Sequence, residues 1–125
     1  MYKVIIVDDE YTGCELLEKY ITDYCKDFEI AGIFRDGSEA ISYLEKNDVE
    51  LVLTDIKMPE VSGIELAKYI YYNKPYIKVV TVSAYSEFDY AKELMKYGVL
   101  YYLLKFVDLD EFLEAMDIVR ENLSA

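Results

Sequence analysis

Residues 4–10 read Val4-Ile5-Ile6-Val7-Asp8-Asp9-Glu10, four unbroken apolar residues that stop at three acids. A run that is continuous rather than alternating suits a strand buried on both faces, the situation of a central strand in a parallel sheet. Leu51–Leu53 repeats the pattern and leads through Thr54 to Asp55, and Val79–Val82 repeats it and leads to Ser83 and Ala84. Glu29–Phe34 and Tyr101–Leu104 supply two more apolar segments, so five strands are expected.

Between the strands lie segments with helical spacing. Leu16, Leu17, Tyr20, Ile21, Tyr24 and Cys25 form one apolar stripe over residues 13–26. Ala40, Ile41 and Leu44 form a shorter one, with Ser38 as the expected N-cap. Ile64, Ala67 and Tyr71, flanked by Leu66 and Ile70, give a third stripe. The fourth, Phe88, Ala91, Leu94 and Met95, is expected to start at Ser86 and stop at Gly98. Leu109, Phe112, Leu113, Met116 and Val119 give the fifth, capped by Asp108. Strict β-α alternation with short connections implies a doubly wound α/β domain, a parallel sheet with helices on both faces.

Composition narrows the chemistry. The chain has 125 residues, net charge −12 and no histidine. Without histidine there is no Ser-His-Asp or Cys-His device, no His-ligated zinc and no phosphohistidine of the chain's own. The charge argues against direct nucleic-acid binding and against an anionic membrane surface, while acids suit hard cations. Cys14 and Cys25 stand about 16 Å apart along one expected helix, too far for a disulfide, which fits a reducing, cytoplasmic setting. Met1-Tyr2-Lys3 runs straight into a strand with no signal-peptide pattern, and no apolar run reaches the length of a membrane span.

In doubly wound sheets ligands bind beyond the carboxyl ends of the strands. The residues there are Asp8, Asp9 and Glu10 after strand 1, Asp55 after strand 3, Ser83 and Ala84 after strand 4, and Lys105 after strand 5. At an effective dielectric near 20, two carboxylates about 4 Å apart repel by about 4 kcal/mol, so convergence of Asp8, Asp9 and Asp55 demands compensation. Lys105 supplies one positive charge and a divalent ion such as Mg²⁺ suits the rest. Blander readings stand beside these. Acids also favour helix N-termini, Ser83 also suits a helix cap, and Tyr102 also suits a half-packed ring at a sheet edge.

Three segments in this order, Val4–Glu10 (VIIVDDE), Leu53–Gly63 (LTDIKMPEVSG) and Val80–Lys105, resemble the receiver domain of bacterial two-component response regulators across residues 2–122. The stretch Ser83–Lys105 is further similar to receivers joined to AraC-type DNA-binding domains. The resemblance implies one receiver domain over residues 1–125, with the flavodoxin-like (βα)5 strand order 2-1-3-4-5 and no output domain in this chain. By position it implies that Asp55 is the phosphoacceptor, served by a partner sensor histidine kinase. It implies that Asp8, Asp9, Asp55 and the backbone carbonyl of Lys57 hold Mg²⁺. It implies that Ser83, the backbone of Ala84 and Lys105 bind the phosphoryl group, with Tyr102 as the switch aromatic. Such a domain is a signalling switch that catalyses its own phosphorylation and dephosphorylation, here expected to act in transcriptional control.

One position departs from the pattern. The family places Pro after the lysine, often in cis, whereas Phe106 follows Lys105. Either the bond is trans and the loop differs, or it is a non-proline cis bond, intrinsically about 3–4 kcal/mol above trans. With 14 tyrosines, among them Tyr97, Tyr101 and Tyr102, the face formed by helix 4, strand 5 and helix 5 is an expected site of phosphorylation-dependent homodimerisation. Alternatives are a degenerate receiver that only binds proteins, and a small phosphatase using Asp8 as nucleophile with Glu10 and Thr12 behind it. A flavin-binding module of similar topology fits less well, because the acidic segment after strand 1 is the opposite of a phosphate loop.

Overall fold

The computed structural model describes residues 1–85 and 88–124. Five strands, β1 (Tyr2–Val7), β2 (Phe28–Phe34), β3 (Leu51–Thr54), β4 (Lys78–Ser83) and β5 (Tyr101–Leu104), alternate with five helices. The helices are α1 (Tyr11–Tyr24), α2 (Gly37–Leu44), α3 (Gly63–Asn73), α4 (Phe88–Lys96) and α5 (Leu109–Leu123). The strands pair in parallel in the order β2-β1-β3-β4-β5. Each expected strand is present, with β1, β2 and β4 starting slightly earlier than the apolar runs do.

The continuous apolar runs have the origin inferred for them. Successive side chains of a strand point to opposite faces, so both faces must be covered to bury both sets. Val4 and Ile6 join Leu51, Leu53, Val80 and Val82 under α1 and α5, where Phe112 and Met116 are fully buried. Ile5 and Val7 join Val52 and Val79 in the opposite core, with Ala40, Leu66, Ile70 and Leu94 from α2, α3 and α4. Between β1 and β2 the register slips by one residue, since Val4 faces Ile30 while Ile5 faces Gly32, leaving Ala31 as the extra residue of a bulge.

Several local expectations need correction. Asp36, not Ser38, caps α2, because its carboxylate accepts from the amides of Ser38 (2.7 Å) and Glu39 (3.2 Å). A carboxylate there also complements the helix N-terminus, which a hydroxyl cannot do. Tyr24 and Tyr71 belong to the sequence stripes yet are exposed, since each lies at a helix's last turn, beyond the edge of the core. Cys25 follows α1 instead of lying within it; both cysteines are buried and free. The expected start of α4 at Ser86, and the packing of the Phe88 side chain, lie outside the described residues.

Other boundaries agree with the sequence reading. Asp108 caps α5 by accepting from the Glu111 amide at 3.1 Å. Gly98 follows α4 at φ +72°, a left-handed conformation that suits glycine at a helix C-terminus. The peptide bond between Lys105 and Phe106 is cis. Among the described residues no helix is long and apolar enough to cross a membrane.

Candidate functional site

Three backbone hydrogen bonds carry the sheet one residue past its strands. Asp8 donates its amide to Phe34 O (2.9 Å), Asp55 to Val7 O (2.8 Å) and Lys105 to Ser83 O (2.9 Å). Each extension places a charged side chain at the carboxyl rim of the sheet, where the apolar cores end. The side chains converge there. Lys105 Nζ lies 2.8 Å from Asp8 Oδ2, 2.8 Å from Glu10 Oε1 and 3.1 Å from Asp55 Oδ2.

The remaining oxygens are held by main chain. Asp8 Oδ1 accepts from the Glu10 amide (2.9 Å) and Asp55 Oδ1 from the Ile56 amide (2.7 Å). Thr54 donates its hydroxyl to Asp55 O at 2.8 Å. Two glycines let backbone come this close. A Cβ on Gly63 would lie 2.0 Å from the Asp55 carbonyl oxygen, and one on Gly13 would lie 2.7 Å from Asp8 Oδ2 and 3.2 Å from Lys105 Nζ. Gly63 also donates to Ile56 O at 2.8 Å, so the start of α3 braces the segment that presents Asp55.

Electrostatics follow from burial. Asp8 and Asp55 are buried, whereas Asp9 and Glu10 are exposed. Burial pushes the Asp55 carboxyl up to about 6, the Asp8 charge adds to the rise, and Lys105 offsets part of it. Burial also works against the Lys105 ammonium, but its contacts with Asp8, Glu10 and Asp55 outweigh it and hold the ammonium above the usual lysine range. Cys14, against this cluster, has its thiol pushed up to about 11 by burial and then by Asp8.

The donor set fits a hard divalent cation. One carboxylate oxygen from each of Asp8, Asp9, Glu10 and Asp55 lies within 4.8 Å of the others. Asp8 Oδ2 is buried and, among the described residues, meets only the charge of Lys105 Nζ 2.8 Å away. Four carboxylates facing one ammonium leave excess negative charge and an all-oxygen ligand set, the pairing Mg²⁺ prefers.

Ser83 and Tyr102 form a second group beside this one. Ser83 is buried at the end of β4, and its Oγ accepts from the Tyr85 amide at 3.1 Å. Tyr102 donates its hydroxyl to the carbonyl oxygen of the same Tyr85. Lys57 sits with Nζ 4.1 Å above the Tyr85 ring and 5.5 Å from that of Tyr90. Ala84 is exposed in the loop after β4. The geometry thus brings Asp8, Asp9, Asp55 and Lys105 together, while Ser83 and Tyr102 are joined to each other through Tyr85. Sequence reasoning noted Glu10 after the acidic pair but gave it no role in the receiver reading, and it did not single out Gly13, Gly63 or Tyr85. The three missed residues act through main chain or through a missing side chain, which leaves no signal in residue type.

Comparison with known proteins places this geometry in context. The family described as "Response regulator receiver domain" matches residues 4–117. The chain is 36% identical over 105 residues to the uncharacterized transcriptional regulatory protein YesN of Bacillus subtilis, covering 84% of this chain and 28% of that protein. It is 38% identical over 108 residues to the transcriptional regulatory protein HptR of Staphylococcus aureus, covering 86% of this chain and 42% of that one. The chain therefore spans less than half the length of these two curated relatives. The response regulatory domain of mrkE from Klebsiella pneumoniae superposes with a TM-score of 0.90 at 27% identity over 98% of both chains. The REC domain of AraT, a response regulator from Geobacillus stearothermophilus, does so with a TM-score of 0.89 at 31% identity, over 98% of this chain and 95% of that one.

Proposed function

The chain belongs to the response regulator receiver domain family, and on that premise we propose that it accepts a phosphoryl group on Asp55 from the phosphohistidine of a partner sensor kinase. The observation that carries the reading is the buried contact of Asp55 with Lys105 and Asp8 at the rim of the sheet. An Asp55 oxygen forms the new O–P bond while the P–N bond to the donor imidazole breaks and the ring nitrogen keeps the bonding pair. Phosphoryl transfer of this kind needs placement and charge neutralisation more than covalent help.

The residues divide that work. The Ile56 amide and Lys105 fix the two oxygens of Asp55, and the ammonium offsets charge that gathers on the transferring group. Asp8, Asp9 and Asp55, with the backbone carbonyl of Lys57, are the proposed holders of Mg²⁺. When bound, the ion neutralises phosphoryl oxygens that would otherwise face carboxylates. Ser83 and the backbone of Ala84 are the proposed donors to the phosphoryl group, and Lys105 pairs with one of its oxygens.

Signalling is proposed to run through Tyr85. For Ser83 to turn toward a phosphoryl group its Oγ must give up the Tyr85 amide. The loop carrying Tyr85 is the one that Tyr102 holds by its hydroxyl. A shift at Ser83 thus biases the packing of α4, β5 and α5, the kind of two-state element a phosphorylation switch requires. The proposed consequences are a homodimer through that face and control of transcription through a DNA-binding output domain, AraC-type by the similarity of Ser83–Lys105. Against a purely protein-binding receiver stands the intact set of Asp55, Ser83 and Lys105, and an Asp8-nucleophile phosphatase would leave the buried Asp55, in contact with Lys105, without a role.

Acetyl phosphate with Mg²⁺, followed by intact-mass measurement, tests the reading. A gain of about 80 Da, the mass of one phosphoryl group, is expected for the parent chain and not for Asp55→Asn. No gain, or an equal gain in the variant, contradicts it.

A further inference from the structure

Glu10 stands at the N-cap position of α1 with extended backbone (φ −102°, ψ 120°), yet its side chain makes no capping hydrogen bond. Its carboxylate turns instead to Lys105 Nζ, 2.8 Å away. An ammonium has three N–H groups, and three carboxylates surround this one. Two of these N–H groups bond Glu10 and Asp55 while Asp8 lies in charge contact, so acceptor oxygens added by a phosphoryl group on Asp55 compete with these carboxylates for the one ammonium. Asp8 and Asp55 cannot readily withdraw, since their side chains are only 1% and 7% exposed. The Glu10 side chain is 57% exposed and is the natural one to leave.

We propose that Glu10 is a positioning residue that acts through Lys105, a latch holding the ammonium in the unmodified state and releasing it when a phosphoryl group arrives. The inference rests on the phosphoacceptor reading of Asp55 and adds a competitor to it. Glu10 stands in for a phosphoryl oxygen, so the modified state forms against the cost of breaking the Glu10–Lys105 pair. Its charge also opposes an incoming phosphoryl group, beside Asp8 and Asp9. Both effects set the balance between the resting and the switched state in the resting state's favour.

The test uses the intact chain and beryllium trifluoride, a phosphoryl analogue, titrated calorimetrically at saturating Mg²⁺. The parent chain is expected to bind it and Asp55→Asn is not; failure of either sinks the phosphoacceptor reading itself. Given that result, Glu10→Gln, which keeps the shape and removes the charge, is expected to bind the analogue about three- to tenfold more tightly. Unchanged or weaker binding overturns the latch while leaving the phosphoacceptor reading intact. Mg²⁺ titrated alone is expected to weaken by no more than about threefold in Glu10→Gln, the effect of one exposed charge lost from the acidic cluster; a loss of about tenfold would make Glu10 a metal ligand and overturn the latch as well. In a Lys105→Ala background the gain from Glu10→Gln is expected to vanish, because the effect runs through Lys105. An undiminished gain there would show Glu10 acting without Lys105 and overturn the proposal.

Discussion

Asp55 is asked to be ionised, buried and close to another carboxylate at once, and its protonation records the conflict. Its folded-state value, raised to about 6, lies above the ordinary 3.8. Between those values the folded chain holds a proton that the unfolded chain has lost, so the group's contribution to stability is present below about pH 4 and disappears as pH rises through about 6. Asp55→Asn removes the unfavourable charge. Without Mg²⁺ it is expected to raise the melting temperature by several degrees near pH 7.5, with a gain that falls as pH drops and vanishes below about pH 4. A variant no more stable than its parent near pH 7.5, or a gain independent of pH, contradicts this account of the pocket.

Among the elements, the segment after β4 and the face made by α4, β5 and α5 carry the consequences. Met95 and Phe106 are 77% and 75% exposed on this side, unusually open for large apolar side chains. Lys92 and Lys96 are exposed on α4 beside Asp89 and Glu93, with Lys96 paired to Glu93 at 3.8 Å, while Asp110, Glu111, Glu114 and Asp117 give α5 an acidic face. A two-fold arrangement would set the lysines of one copy against the acids of the other, which suits an isologous dimer. Sedimentation is expected to show a monomer without ligand and a dimer with Mg²⁺ and beryllium trifluoride, weakened by salt. A monomer under both conditions at high concentration rules the dimer out.

For the molecule as a whole, the fold was legible because both faces of the central strands are buried. That requirement writes itself as the continuous runs of β1 and β3 and bounds them with acids. Asp8, Asp55 and Lys105 were legible for the same reason, as charged residues placed where the cores end. What escaped were features that act through main chain or by absence. Gly63 matters because a Cβ would strike the Asp55 carbonyl, and Tyr85 matters through its amide and carbonyl rather than its ring. Asp36 and Ser38 are equally good caps by residue type, and only the backbone distinguishes them. Glu10 could be read as a helix-terminus acid until the distance to Lys105 gave it a different partner.

Borohydride reduction shows directly which carboxylate becomes the acyl phosphate, because it converts a phosphorylated aspartate to an alcohol at its own position. After acetyl phosphate and Mg²⁺, peptide mass spectrometry is expected to find the reduced residue at position 55, with Asp8 and Asp9 unaltered. Reduction at position 8 would instead establish phosphatase-like chemistry on Asp8 and contradict the assignment.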